Sequence, residues 1–368
     1  MAFSMMQLFL LGALGPRLVD ELDVSPTVLG LTTTIGFGAA AVLSPVGGRV
    51  VDRVGPRRCL VALLLASAMA LALIGSAPGV GLLLAAVALG GVPQSLANPA
   101  TNKAILATVP PQRRGSVTGM KQSGVQFGAF AAGLPLAALA GVAGWRGAVW
   151  TAAGAAAGAA LWAARGLPAD PPPVSVGPRS SLVPRGAIAW LAVFSLLLGC
   201  GIASVNTYLS LYGAQRLGLG PTAAGALVAV LGVAGVAGRV GWSKVAGDPG
   251  RAVWLPGGLA AGSVAAALLL AGASFVHPLA WVAAVAVGVF AVAANAVSMV
   301  LVMQRAGQDS ALVSAGFFAG FAVGPPLFGL LAESGHYGPG WVLVAGEFAG
   351  ACAVAVCWAV RDRREARA

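Results

Sequence analysis

The sequence predicts an all-α membrane protein of twelve transmembrane helices, arranged as two pseudo-symmetric six-helix bundles. Hydrophobic residues make up 58% of its 368 residues and charged residues only 9%, and the mean hydropathy is +0.88. A globular domain usually carries about 25% charged residues, so most of this chain cannot face water. The composition therefore argues against a soluble enzyme, a nucleic-acid-binding protein and a β-barrel, whose strands would alternate polar and apolar residues.

Twelve apolar runs follow one another along the chain, separated by short connections rich in turn-forming residues. A transmembrane helix needs about 20 apolar residues to cross roughly 30 Å of hydrocarbon. The first run is short for a span, as a truncated first helix would be, and Ser25-Pro26 is expected to start the second. The predicted spans are 1–15, 25–51, 58–76, 79–104, 114–140, 145–165, 187–211, 221–243, 252–273, 278–304, 310–332 and 339–360.

The longest polar interruption, at 166–186, divides the twelve runs into two groups of six. It contains six prolines, and a proline-rich stretch of this kind is typical of a linker rather than a packed element. We therefore predict an N-terminal six-helix bundle at 1–165 and a cytoplasmic linker at 166–186. A C-terminal six-helix bundle follows at 187–360, and a cytoplasmic tail at 361–368.

The basic residues predict the orientation of the chain. With the N-terminus in the cytoplasm, 18 of the 22 lysines and arginines fall in cytoplasmic connections and three in outer ones. Connections rich in Lys and Arg stay on the cytoplasmic side of a membrane. Arg239 is counted among the 18, in the connection between spans eight and nine. We expect a multi-pass protein of the cell membrane, inner or plasma, with both termini cytoplasmic.

The two halves carry matching residues at a nearly constant spacing. Residues of spans five and four recur 196 or 197 positions later, in spans eleven and ten. The pairs are Gly124 with Gly320, Gly128 with Gly324, and Asn98 with Asn295. Together they indicate two homologous halves, which is the parallel repeat found in secondary transporters.

A run of glycine, acid and arginine lies between spans two and three. Its sequence is GRVVDRVGPRR, and the pattern is carried by Gly48, Asp52, Arg53, Gly55, Arg57 and Arg58. It resembles the cytoplasmic signature of the major facilitator superfamily, roughly G-x-L-x-D-R-x-G-R-R, from which Pro56 departs. The resemblance extends over the whole chain through the twelve spans, the linker and the repeat. It implies a transporter that works by alternating access.

These six residues are predicted to form a conformational gate. Gly48 would let helices approach closely, Gly55 would allow a tight turn, and the arginines would hold the loop at anionic headgroups. The family resemblance implies that Asp52 meets the N-terminal end of span eleven, where the helix dipole favours an anion. That contact would tie the halves together on the cytoplasmic side. The alternative is an ordinary cytoplasmic loop with a paired acid.

Polar side chains at membrane depth are costly and usually face a cavity. Lys121, roughly 10 Å into span five at 1.5 Å per residue, would meet an anionic group of the substrate. Alternatively, its long stem reaches back to the inner interface, and the amides form hydrogen bonds between helices. The predicted substrate-binding residues are Asn98, Asn102, Lys121, Gln122, Gln126, Asn206 and Asn295.

The expected function is secondary active or facilitative transport of a small solute, an organic or inorganic anion. The segment Gly119–Gly124 around Lys121 is similar to bacterial facilitators of the cyanate and small-anion type. A proton-coupled multidrug efflux transporter is the alternative, and a non-transporting membrane sensor or scaffold is a remote one. The sequence has no P-loop, which excludes an ATP-driven pump, and no enzymatic activity is expected.

The coupling ion is left open by the sequence. Glu347 of span twelve is the candidate proton carrier, but span twelve is usually peripheral in this fold, and the acid would then be neutral or paired. A uniporter, a proton symporter and an anion exchanger all fit. The four cysteines lack metal-ligand spacing, so we expect neither a metal nor a cofactor. The expected partners are a small-molecule substrate, the lipid bilayer and a coupling proton; we expect a monomer that binds no nucleic acid.

Overall fold

Every regular element in the structure, a computed structural model, is helical, which confirms the predicted all-α class. The structure describes residues 1–170, 186–246, 253–305 and 310–365. In chain order the helices are α1 (Ala2–Ala13), α2 (Gly15–Leu22), α3 (Pro26–Val54), α4 (Pro56–Gly75), α5 (Val80–Thr108), α6 (Pro111–Ala131), α7 (Ala137–Gly166), α8 (Ala187–Leu217), α9 (Pro221–Val245), α10 (Leu255–Gly272), α11 (Leu279–Val287), α12 (Ala293–Arg305), α13 (Ser310–Glu333) and α14 (Tyr337–Glu365).

The number of membrane-spanning helices is consistent with the predicted twelve. Ten are long and apolar enough to cross a membrane, and α1 with α2, bent by 64°, makes an eleventh. One of the ten, Met120–Gly166, is 47 residues long and contains two of the predicted spans. At Gly144 its backbone leaves the helical region with a φ of 71°. The following part packs along α4, where Arg146 donates a hydrogen bond to the carbonyl of Ala77.

The second span fixes the two ends of the bundle. Ser25 begins α3 as predicted, because its hydroxyl accepts a hydrogen bond from the backbone N–H of Val28 at 3.3 Å and Pro26 follows it. We call this end of the bundle, which holds Ser25, the opposite end. The end that holds Gly48–Arg58 is called the signature end.

The two halves meet chiefly along three pairs of helices. α3 of the first half packs against α13 of the second, α6 packs against α9, and α1 packs against α8. Two π-helical segments, Ala132–Leu136 and Gly288–Val292, contact α9 from the first and the second half. Pro135 lies in the first of them, and because proline has no N–H, the regular hydrogen-bond ladder cannot continue there. The central helix α9 is therefore held between elements of both halves.

The packing of the halves agrees with the predicted repeat. α6 contacts α1 and α13 contacts α8, so span five meets span one as span eleven meets span seven. A Cβ atom at Gly128 would lie 3.3 Å from the carbonyl oxygen of Ala2, whereas one at Gly320 would lie 2.1 Å from that of Leu196. The second half therefore packs this pair of helices more closely than the first.

Apolar side chains cover the outside of the spans. Val42 is 77% exposed, Trp162 72% and Leu330 60%. Extended apolar surface of this kind is not stable in water and marks contact with a membrane. The chain is therefore a multi-pass membrane protein whose exposed apolar side chains face lipid.

Gly320→Ala should lower the stability of the bundle by about 1–3 kcal/mol, because the added methyl group would overlap the backbone of α8. Gly346→Ala is the matched control, since no atom lies within 4 Å of a Cβ at Gly346 of α14. Alanine there should be neutral or stabilising by up to about 1 kcal/mol. Thermal unfolding of the purified protein in detergent measures both, and equal midpoints would contradict the close packing of α13 on α8.

Candidate functional site

A central cavity lies between the two halves. Its wall is formed by α1, α5 and α6 of the first half and by α8, α9, α12 and α13 of the second. Most of its polar side chains are amides. The polar lining residues are Ser4, Gln94, Asn98, Gln122, Gln126, Asn206, Arg239, Asn295 and Ser314.

Five of the seven predicted substrate-binding residues lie on this wall. They come from four helices, α5, α6, α8 and α12, which the fold brings together around the cavity. The five are Asn98, Gln122, Gln126, Asn206 and Asn295. The roles assigned to them stay predictions, but their position at one cavity is what those roles require.

Lys121 and Asn102, the other two, lie outside the lining. The ammonium of Lys121 donates hydrogen bonds to Oδ1 of Asn102 at 2.6 Å and to Oδ1 of Asn98 at 3.3 Å. These bonds join α6 to α5. Of these three residues, Asn98 alone lies on the cavity wall. Lys121 therefore contacts the wall through Asn98, from the side away from the cavity.

Arg239 is the residue that the sequence reasoning assigned wrongly. It does not lie in a cytoplasmic connection but within α9, only 6% exposed and on the wall of the cavity. Its Nη1 donates a hydrogen bond to the backbone carbonyl of Gln122. The signal was available, because Arg239 falls inside the predicted span 221–243. The correction leaves 17 basic residues in cytoplasmic connections against three outside, so the predicted orientation is unchanged.

Polar atoms without a partner are concentrated at this cavity. Six such buried atoms, among the residues that the structure describes, belong to its lining. They are Nε2 and Oε1 of Gln94, Oε1 of Gln126, Oδ1 of Asn206, Oδ1 of Asn295 and Nε of Arg239. A buried polar atom without a hydrogen bond costs about 1–3 kcal/mol. A bound polar molecule would remove that cost.

The remaining wall of the cavity is apolar and aromatic. Phe317, Phe318 and Phe321 of α13 line it, and Phe37 of α3 packs against two of them. The ring centroids of Phe37 and Phe321 are 4.6 Å apart. Because these rings come from both halves, the aromatic wall is also part of the contact between them.

Hydrogen bonds between the two halves tie them together at the opposite end. The hydroxyl of Tyr208 in α8 lies 2.8 Å from the carbonyl oxygen of Pro26 and 3.0 Å from that of Pro325. Thr33 and Thr207 share a hydrogen bond of 3.0 Å. Further bonds between the halves join Thr34 to the carbonyl of Ala322, Ser210 to the carbonyl of Ala13, and Thr27 to Glu333. The cavity is therefore closed toward this end.

Asp52 pairs with Lys103 at the signature end. Its Oδ1 accepts a hydrogen bond from the Lys103 ammonium at 2.8 Å, and the pair joins α3 to α5 within the first half. The predicted partner, the N-terminal end of span eleven, falls at 306–311, beyond the side chains that the structure describes. That contact therefore stays a prediction. The close helix approach expected at Gly48 is absent here, since no described atom lies within 4 Å of a Cβ at Gly48.

Gly55 makes the tight turn that was predicted, with a φ of 99°. The turn begins α4 and exposes its first backbone N–H groups, which the carboxylate of Asp170 caps. Asp170 accepts from the N–H of Arg57 at 2.6 Å and of Arg58 at 3.1 Å, and Nε of Arg58 lies 3.9 Å away. A Cβ at Gly55 would lie 2.3 Å from Cγ of Asp170. Sequence reasoning had not singled out Asp170.

Glu347, the predicted proton carrier, lies on α14 and is not among the lining residues of the cavity. Its Oε2 is buried without a hydrogen-bond partner among the described residues. The adjacent Phe348 packs on the backbone of α8, where a Cβ at Gly201 would come within 2.4 Å of its ring. The acid therefore sits at a helix contact rather than in the cavity, and its role stays a prediction.

Asp170→Ala should destabilise the signature end by about 1 kcal/mol, because two N–H groups at the start of α4 lose their acceptor. Asp170→Asn keeps one oxygen and should lose about half of that. Asp20→Ala is the control, since it removes an acid that is exposed. Thermal unfolding in detergent compares the three, and a midpoint for Asp170→Ala equal to that of the control would contradict the capping role.

The fold is similar to that of solved transporters. A bacterial homologue of the human lysosomal transporter Spinster, in an inward-facing and occupied conformation, matches with a TM-score of 0.76 at 16% identity, covering 98% of this chain and 94% of that one. The human organic anion transporter MFSD10 (TETRAN) matches with a TM-score of 0.70 at 15% identity, covering 96% and 95%. At these identities the likeness shows the fold alone.

The family follows from the sequence itself. A search of curated proteins returned no match. The family model described as Major Facilitator Superfamily matches residues 1–311, which is more than half of the chain. This chain therefore belongs to the major facilitator superfamily and is a membrane transporter.

Proposed function

We propose that this transporter is a secondary transporter that carries a small anion through the central cavity by alternating access. The observation that supports an anion is the charge on the cavity wall. Arg239 is buried there, and the lining residues that the structure describes include no Asp or Glu. A buried charge is costly unless it is paired, and a bound anion would supply the missing partner.

The surroundings of Arg239 strengthen this argument. Its acceptor, the carbonyl of Gln122, belongs to the residue next to Lys121, so two cationic side chains lie close together inside the bundle. Both bond to neutral oxygens only, among the residues described. Repulsion between the two charges adds to the cost of burying them. An anion near either side chain would reduce that cost.

Alternating access is supported by the difference between the two ends of the bundle. Hydrogen bonds between halves accumulate at the opposite end, while Asp52 at the signature end bonds within its own half. With the signature end in the cytoplasm, as the basic residues predict, this is a conformation closed toward the outside. In the alternate conformation Asp52 would exchange Lys103 for the N-terminal end of α13, and Gly48 would then allow close packing.

The predicted binding residues take two roles in this proposal. Asn98, Gln122, Gln126, Asn206 and Asn295 would contact the substrate directly. Lys121 and Asn102 would hold the wall and add positive potential behind it. The efflux alternative is less well supported, since binding a lipophilic cation would favour an acid in the cavity. Glu347, if it carries a proton, would do so from outside the cavity.

Thermal stabilisation by matched ligands tests the substrate class. Benzoate, benzyl alcohol and benzyltrimethylammonium share one ring and differ in charge, and nitrate adds a small inorganic anion. A ligand at 100 times its dissociation constant should stabilise the purified protein by about 2.7 kcal/mol. We expect stabilisation by benzoate, nitrate or both, and not by the cation. If the cation alone stabilises, the anion proposal is wrong and efflux becomes the leading function.

Tyr208→Phe should favour opening at the opposite end. The variant keeps the ring but loses the hydroxyl, whose single proton is shared between the carbonyls of Pro26 and Pro325. Losing about 1 kcal/mol of hydrogen bonding should raise the ratio of open to closed conformations at this end by roughly fivefold.

Spin labels at Asp20 and Ser334, in a cysteine-free background, would report the distance between the halves at that end. Tyr212→Phe is the matched control, because that hydroxyl donates to the carbonyl of Leu270 within the second half. A distance distribution for Tyr208→Phe that matches the control would contradict the role of Tyr208 in closing this end.

A further inference from the structure

We infer that the substrate is an amphipathic organic anion, whose acid group binds Arg239 and whose apolar body lies against Phe317, Phe318 and Phe321. This inference rests on the proposed function and narrows it in two respects. It assigns the recognition of the anion to Arg239 instead of Lys121. It also selects an organic anion over an inorganic one.

The choice of Arg239 follows from what each cation already binds. The Lys121 ammonium donates to two amide oxygens, at 2.6 and 3.3 Å, and lies outside the lining. Arg239 lies on the wall, and its Nε has no partner among the described residues. Its Nη1 bonds a backbone carbonyl, which orients the guanidinium without neutralising it. A guanidinium can hold a carboxylate through two parallel hydrogen bonds, which an ammonium cannot.

The charge of the substrate follows from the same wall. Arg239 is the one charged side chain among the lining residues that the structure describes. One guanidinium with amides around it matches a monoanion. A second acid group on the substrate would have to be buried beside neutral amides, at a high cost in desolvation.

The composition of the cavity wall selects an organic substrate. An ion such as nitrate or cyanate would leave its aromatic side chains without contacts. Phe317, Phe318 and Phe321 offer a surface that an apolar or aromatic body would cover.

The unpaired amides indicate further polar groups on the substrate. Gln94, Gln126 and Asn206 line this cavity, are each at most 3% exposed, and each has a buried amide atom without a partner among the described residues. A primary amide can present either its carbonyl oxygen or its NH₂ group by rotating. The wall therefore fits hydroxyl, carbonyl or amide substituents between the acid group and the apolar body.

Calorimetric titration of the full chain in detergent tests the inference with acetate, benzoate, 1-naphthoate, nitrate and benzyltrimethylammonium. Affinity should rise with apolar area from acetate to benzoate to 1-naphthoate, and nitrate should bind roughly tenfold or more weakly than benzoate. Arg239→Gln should weaken benzoate binding by about tenfold or more, while Arg239→Lys keeps the charge and should recover part of the loss. Lys121→Gln should weaken benzoate binding less than Arg239→Gln does. Arg165→Gln, which removes an exposed arginine of α7 outside the cavity, is the matched control and should leave the affinity unchanged.

The outcomes separate this inference from the proposed function. Nitrate binding as tightly as 1-naphthoate would leave an anion transporter but overturn the amphipathic substrate. A larger loss in Lys121→Gln than in Arg239→Gln would return the recognition of the anion to Lys121. Binding of the cation but of no carboxylate would overturn the proposed function and this inference with it. Unliganded Arg239→Gln should unfold at the wild-type midpoint, which would show that its loss of affinity is not a loss of fold.

Discussion

Hydrocarbon offers no hydrogen-bond partner, so every polar group within the spans must find one inside the bundle, and the rest of this structure depends on that constraint. Ser44, Ser67 and Ser263 meet it by donating to a carbonyl one turn back in their own helix. A second set of polar groups pairs across the two halves and closes the opposite end. A third set surrounds the central cavity and is left incomplete. One physical requirement thus stabilises single helices, joins the halves and leaves unpaired polar groups around the central cavity.

Much of the fold could be predicted, because a helix that crosses a membrane must consist mainly of apolar residues. Apolar runs and basic connections follow from the requirements of membrane insertion, so they can be recognised in the sequence. The repeat spacing can be recognised there as well. The turn at Gly144 and the bend between α1 and α2 were harder to foresee. Each depends on how a chain segment packs after insertion, and glycine or a short apolar run alone does not specify an angle.

The site was only partly predictable for a related reason. The amides of Asn98, Gln126 and Asn206 could be recognised because polar residues at membrane depth are rare. Which cation faces the cavity depends on the rotation of α6 and α9 about their own axes, and that rotation is set by contacts with other helices. Lys121 was identified from its depth alone, and Arg239 was missed because charge near the end of a span was attributed to the adjacent loop.

The position of Arg239 has a consequence for how the protein is made. An arginine inside a span adds to the cost of inserting that span into the membrane, and the acceptor that Arg239 uses, the carbonyl of Gln122, belongs to the first half. The first half leaves the ribosome earlier, so that acceptor is already in the membrane when α9 is synthesised. Although the halves are structural repeats, they are not equivalent during biogenesis. The first half supplies the hydrogen-bond acceptor that Arg239 of the second half uses when it is buried.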